Sequence, residues 1–149
     1  MFPRFALVPG SLFSEDSARA MLEKVVPLSP EEPLSFTPVP TVGAVMVYAG
    51  ERPEVYDLLL SLPKVSGHNK ILARFDGGML SLVIAEADSL RLCNVFRAGD
   101  FTTAEYFLFL SLRRLQINPE ISVVHFTPAL SDEQVQSLMC YFKNVEFLI

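Results

Sequence analysis

Apolar and polar positions along the chain switch repeatedly between a strand period and a helix period, and the switches fall at turn residues. Arg4 to Val8 reads as a short strand closed by Pro9-Gly10-Ser11. Ser14 then stands where a helix N-cap belongs, with Glu15 and Asp16 in the first turn, where negative charge suits the helix dipole. Ala18, Met21, Leu22 and Val25 recur at helical spacing to about Val26, and Pro27 stops the helix. Five prolines (Pro27, Pro30, Pro33, Pro38 and Pro40) follow closely. Such a segment forms neither a helix nor an inner strand, so it is expected to be an extended surface connection. Thr41 to Ala49 is a Val-rich apolar run that suits a strand buried on both faces. Pro53 sits where a first-turn proline belongs. Val55, Tyr56, Leu58, Leu59 and Leu62 give a short amphipathic helix ended by Pro63.

The pattern changes across Lys64–Asn69, around Gly67. Two units are therefore expected, residues 1–66 and 67–149. Ile71–Phe75, Met79–Glu86 and Leu90–Arg97 read as three strands joined by Asp76-Gly77-Gly78 and Ala87-Asp88-Ser89, which makes a β-meander. Leu80, Leu82 and Ile84 alternate with Met79, Val83 and Ala85 in facing, so both sides of the middle strand should be covered. A helix is expected from Thr102 or Thr103 to Gln116, with Thr102 and Glu105 at capping-box spacing and Asn118-Pro119 at its exit. Its run Tyr106-Phe107-Leu108-Phe109-Leu110 is apolar around most of the circumference and calls for burial on more than one side. Ile121–Phe126 reads as a strand, Ser131 caps a helix reaching about Phe142, and Val145–Ile149 reads as a last strand.

Composition narrows the function classes. With 149 residues the chain is of single-domain size, and folding would bury roughly two-thirds of its surface. It is 50% hydrophobic and 19% charged, the profile of a packed globule, and twelve Phe with no Trp make its core aliphatic and phenyl. A net charge of -5 repels phosphate backbones. The adjacent basic pair Arg113-Arg114 lies at a predicted helix C-terminus, where it complements the dipole, so nucleic-acid binding is not expected. Cys93 and Cys140 are far apart and without metal-ligand spacing, and are expected to be small core hydrophobes in a reducing compartment. The apolar stretch from Phe2 to Pro9 is too short and proline-interrupted for a signal peptide, and no apolar run reaches the ~20 residues of a membrane span. A cytoplasmic protein without membrane contact is the expectation.

The second half reads β-β-β-α-β-α-β and the first β-α-β-α. The former order is that of ribonuclease-H-like domains, the repeated unit of the actin-like ATPase superfamily. The expected fold class is α/β: a mixed sheet with helices, one complete ribonuclease-H-like half plus a partial one. Particular residues carry a closer likeness. Phe5-Ala6-Leu7-Val8-Pro9 with Leu12-Phe13, Val47-Tyr48-Ala49 and His68 form one set. Leu90-Arg91-Leu92-Cys93-Asn94-Val95-Phe96, Glu105-Tyr106-Phe107-Leu108 and Tyr141-Phe142-Lys143-Asn144-Val145 form another. Together they resemble a Bacteroidetes family, domain of unknown function 3822, with an actin-like ATPase fold and no established activity. The resemblance implies longer relatives, so the chain would lack the opening meander and helix of the first half and a C-terminal segment. It implies no functional residues.

One local pattern points to chemistry. Asp76-Gly77-Gly78-Met79-Leu80-Ser81 has the Asp-x-Gly-x-x-Thr/Ser spacing that actin-like ATPases place at this turn, where backbone N–H groups approach phosphate and the Asp helps hold a metal ion. Asp76, Gly78 and Ser81 are thus the candidate nucleotide-binding residues, with ATP and magnesium as the cofactors of that reading. The same triplet is also simply a good hairpin turn. After the strand ending at Phe126, where such folds often carry Gly-Gly, this chain has Thr127-Pro128-Ala129. His125 alternates with apolar residues as a sheet-face histidine does. His68 sits in a loop suited to turn or edge capping, and neither has metal-ligand spacing. No nucleophile elbow, phosphate loop or dinucleotide fingerprint occurs, so no catalytic residue is expected. The remaining oddity is apolar excess in Tyr106–Leu110 and Phe147-Leu148-Ile149. Either one chain satisfies it internally or it contacts another protein or a second copy, with Tyr106, Phe107, Phe109, Phe147 and Ile149 as contact candidates. The function expected is a degenerate actin-like module that binds protein without catalysis or cofactor; the alternative is ATP binding at the Asp76 turn.

Overall fold

The computed structural model describes residues 2–148. The chain divides into two compact units, Met1–Leu60 and Ser61–Ile149. In the first, strand β1 (Arg4–Pro9) leads to helix α1 (Glu15–Glu23). Ser14 caps α1 reciprocally with Ser17, as its position predicts. The helix stops at Glu23, short of Val26. Strands β2 (Leu34–Val39) and β3 (Ala44–Ala49) and helix α2 (Val55–Leu60) follow. The described residues form a three-stranded antiparallel sheet with β3 between β1 and β2.

The proline-rich segment is therefore more than a connection, because its second half is β2. An edge strand leaves one row of N–H groups outside the ladder, so Pro38, which pairs with Val45, is tolerated there. The run-in to β2 is tied down at Glu32. Arg4 of β1 donates to its carboxylate (Nη1 to Oε1, 2.9 Å), and Arg19 of α1 donates to its carbonyl oxygen. The Arg4 hydrogen bond holds the Glu32 carboxyl below the usual carboxylate range. The expected strand from Thr41 begins only at Ala44. Pro40–Val42 form a 3-10 turn that ends on Gly43 in the left-handed region, φ 63°. The first unit thus reads β-α-β-β-α. Its buried residues Val8, Ala18, Leu22 and Val47 are flanked by Phe13 and Phe36, whose rings meet edge to face.

The second unit realises the predicted order. Strands β4 (Asn69–Asp76), β5 (Met79–Glu86) and β6 (Ser89–Arg97) form the antiparallel meander. Then come helix α3 (Phe101–Arg114), strand β7 (Val123–Thr127), helix α4 (Asp132–Met139) and strand β8 (Asn144–Phe147). The described residues form a five-stranded mixed sheet, β6-β5-β4-β7-β8, with β7 parallel to both β4 and β8. The six inner residues of β5 are buried, so both faces of the middle strand are covered, as the alternation predicts. Ile71, Ala73, Leu80, Leu82, Ile84, Val124 and Phe126 line one face, in a single core with Ala104, Leu108 and Leu112 of α3 and Leu138 of α4. At about 25 cal/mol per Å² of buried apolar surface, this core is the main source of the unit's stability.

Several boundaries differ from expectation: α3 stops at Arg114, before Gln116, and β8 begins at Asn144, one residue before Val145. The N-cap of α3 is Asp100, whose carboxylate accepts from the Thr103 N–H at 2.8 Å, not Thr102. That bond holds the Asp100 carboxyl below the usual range. Strand β7 begins at Val123, and Ile121 lies in a 3-10 turn with 68% of its surface exposed. Helix α4 ends at Met139, so Cys140 is its C-cap and is exposed, contrary to its expected place in the core. The Ser131 cap is as predicted: its Oγ accepts from the Gln134 N–H at 3.2 Å while Gln134 Oε1 accepts from the Ser131 N–H at 3.0 Å. Ser131→Ala is expected to cost about 1 kcal/mol and Ser131→Asp close to nothing, measurable by urea unfolding. Equal losses in the two variants would show that the cap is not what holds this end of α4.

Candidate functional site

The Asp76 turn, the α3 surface and the last strand with Phe147 are the places where the sequence points to function. At the turn, Gly77 (φ 58°) and Gly78 (φ 73°) both adopt left-handed backbone, which the two-residue connection between β4 and β5 requires. Asp76 is exposed, and its Oδ2 accepts from Arg74 Nη2 at 3.2 Å. The Gly78 carbonyl accepts from the Ala98 N–H at 2.9 Å, which fastens the turn to the end of β6. Ser81 is buried within β5, opposite Arg74 of β4. Strand alternation puts Arg74, Asp76 and Ser81 on one face of the sheet, away from α3. Asp76 and Gly78 are thus open to solvent and Ser81 is not. The guanidinium beside Asp76 already offsets the charge a metal ion would use.

The two histidines serve the sheet. The His68 carbonyl accepts from the Ala87 N–H at 2.7 Å and closes the open end of the β4–β5 ladder. His125 is buried in β7 on the same face as its register partners Leu72 and Glu146, with Nε2 3.4 Å from Glu146 Oε1. No cluster of three metal-ligating side chains occurs among the described residues.

On α3, Ala104, Leu108, Ser111 and Leu112 face the sheet and are buried. Tyr106, one turn from Phe109, lies on the other side and is 61% exposed. Phe107 stacks on Phe96 of β6 (centroids 4.8 Å apart) and touches the Tyr106 ring edge to face. Phe109 packs between Tyr141 (4.9 Å) and Phe142 (5.6 Å). The helix therefore meets the demand for two covering layers largely within the chain: the sheet takes one side, and the turn after α4 takes part of the other. What stays open is an aromatic strip from Tyr106 across Phe109 to Tyr141, the last 53% exposed, with exposed Met139 close by in sequence. Arg113 and Arg114 border it in the last turn of α3, both exposed. Glu105 accepts from Ser137 Oγ at 2.7 Å and ties α3 to α4. Phe147 lies apart from the strip, on the outermost strand β8, and is 41% exposed. Ile149 lies outside the described residues.

The profile of the family described as protein of unknown function, DUF3822, matches residues 55–145. The chain is a DUF3822 protein. A solved structure from Bacteroides thetaiotaomicron, a protein with an actin-like ATPase fold and unknown function, is 18% identical to it with a TM-score of 0.75. That likeness covers 97% of this chain and 65% of the other, and it shows that the two share the actin-like ATPase fold. No curated protein matches. The family match takes in the Leu90–Phe96, Glu105–Leu108 and Tyr141–Val145 motifs. The motifs before residue 55 lie within the shared fold alone.

Within this DUF3822 protein, two open residues were not singled out by sequence as contact candidates, Met139 and Tyr141. Their signal was the unbroken apolar run Met139-Cys140-Tyr141-Phe142, which a helix reaching Phe142 would have buried in part. Cys93 sits on β6, where burial pushes its thiol up to about 12. No helix among the described residues is long and apolar enough to cross a membrane.

Proposed function

We propose that this DUF3822 protein is a protein-binding module that does no catalysis and requires no cofactor. It acts through self-association or by scaffolding another protein. One observation carries the reading: an aromatic strip on α3 and the end of α4 stays exposed although the same helix has a filled core beneath it. Tyrosine at a surface offers large contact area at low entropic cost and is enriched where proteins meet. The outer edge of β8, with Phe147 half-exposed, is a second contact element able to add a strand. The reading places the module in the cytoplasm, with no nucleic acid and no membrane among its partners; both cysteines are free thiols. Size-exclusion chromatography with light scattering, from low to high micromolar concentration, tests it. A concentration-dependent dimer is expected, and a monomer throughout would remove self-association.

A second reading, ATP binding at Asp76, Gly78 and Ser81, draws on the solvent-facing Asp76-Gly77-Gly78 turn. The Arg74–Asp76 ion pair and the burial of Ser81 favour the structural role instead. Magnesium and ATP at millimolar concentration are therefore expected to leave the melting temperature unchanged. A ligand that binds the native state at a hundred times its Kd would stabilise it by about 2.7 kcal/mol, which such a melt readily detects.

A further inference from the structure

The outward seam of α3 has an acidic residue flanking one end and a basic residue at the other. Thr102, Tyr106, Phe109 and Arg113 follow one another at alternating four- and three-residue steps along the helix. This is the spacing of a seam that faces another helix. Thr102, Tyr106 and Arg113 are exposed, and Phe109 is half-buried against Tyr141. An acidic residue, Glu105, flanks the N-terminal end of the seam, and a basic residue, Arg113, lies toward its C-terminal end. Ser137 holds one oxygen of Glu105, Oε2. No ion pair engages Arg113 among the described residues.

We infer that α3 pairs antiparallel with α3 of a second copy of this chain, about a two-fold axis level with Phe109. The occupant of the strip is a second copy because of this charge complementarity. Glu105 and Arg113 lie equally far from Phe109 along the helix, so the two-fold sets each Arg113 level with Glu105 of the other copy. One residue further along, the same guanidinium comes over the Tyr106 ring of the other copy, where a cation is attracted by the π face. The Phe109 rings meet near the axis, and Tyr141 widens the apolar contact on one side. Antiparallel packing also sets each helix C-terminus, with its negative dipole end, beside the positive N-terminal end of its mate. A parallel arrangement would instead align Arg113 with Arg113 and Glu105 with Glu105. Like charges so placed disfavour it.

The inference deepens the self-association reading and rests on it. Its test separates the two. Glu105→Arg and Arg113→Glu are each expected to weaken dimerisation by about tenfold or more, because both contacts across the axis then face like charge. Mixing the two variants is expected to restore dimers of wild-type strength, since the heterodimer holds two opposite-charge contacts. Light scattering reads the mass, and native mass spectrometry of chains of different mass reads the heterodimer. Circular dichroism confirms that each variant is folded, and recovery on mixing requires it. If the wild type dimerises and the single variants dimerise equally well, α3 pairing is overturned while self-association stands. If the singles are monomeric and mixing restores nothing, the Glu105–Arg113 register is overturned. A wild type that stays monomeric overturns both.

Discussion

Phe126→Ala is expected to destabilise the protein by about 3–5 kcal/mol, a substantial part of the roughly 5–15 kcal/mol typical of a domain. Phe126 is 1% exposed and stands in β7, between β4 and β8. Its register partner on β4 is Ala73, which has no side chain able to move into the vacated space. Phe101 is the nearest aromatic neighbour, with ring centroids 6.3 Å apart at a tilt of 48°, and its own ring is already committed to Phe75. The site collapses poorly, so the cavity term adds to the lost burial. Urea unfolding followed by circular dichroism gives the number. Phe147→Ala, on the open side of β8 in register with Phe126, is the internal comparison and is expected to cost far less. Equal losses at the two positions would mean that β8 is not the outer strand in solution.

Thiol chemistry gives the second large effect. Burial pushes the Cys93 thiol up to about 12, while Cys140 is exposed at the end of α4. The thiolate is the reacting species, so at a pH of about 8 only some one in ten thousand Cys93 side chains is reactive, and access slows it further. An aromatic disulfide reagent is expected to modify one thiol per native chain rapidly and the second only after denaturation. Cys140→Ser should abolish the fast phase and leave the slow one. Two fast thiols in the native protein would contradict the burial that raises the Cys93 thiol.

Much of the architecture could be read from local signals. The meander was visible because Asp76-Gly77-Gly78 offers two positions free to adopt positive φ between strands of matched length. Ser14 and Ser131 were legible as caps because each can close a reciprocal bond with a residue three further on. Strand β2 was not legible. Pro38 within it and the prolines on either side argue against a strand in general, and only its place at a sheet edge makes Pro38 harmless. Asp100 was not legible as the α3 cap, because Thr102 with Glu105 has the spacing of a capping box. The choice depends on where the chain leaves β6, and a local window does not contain that. Cys140 was misplaced for a related reason: α4 ends three residues earlier than its apolar run suggests, which turns Cys140 and Tyr141 outward.

The candidate surface shows the same division. Excess apolar character in Tyr106–Leu110 is a property of the sequence, and so is the even placement of Glu105 and Arg113 about Phe109. Which of these side chains remain available was settled by packing, since β6 takes Phe107 and the turn after α4 takes part of Phe109. The periods of the two regular structures, their caps and their turns act over a few residues, so sequence alone determined the meander and the order of elements in the second unit. Contacts between residues far apart in the chain decided the rest: the edge position of β2, the burial of Ser81 and Phe126, and the exposure of Tyr106 and Tyr141. Burial depends on which surfaces meet, and no periodicity within a single segment records that.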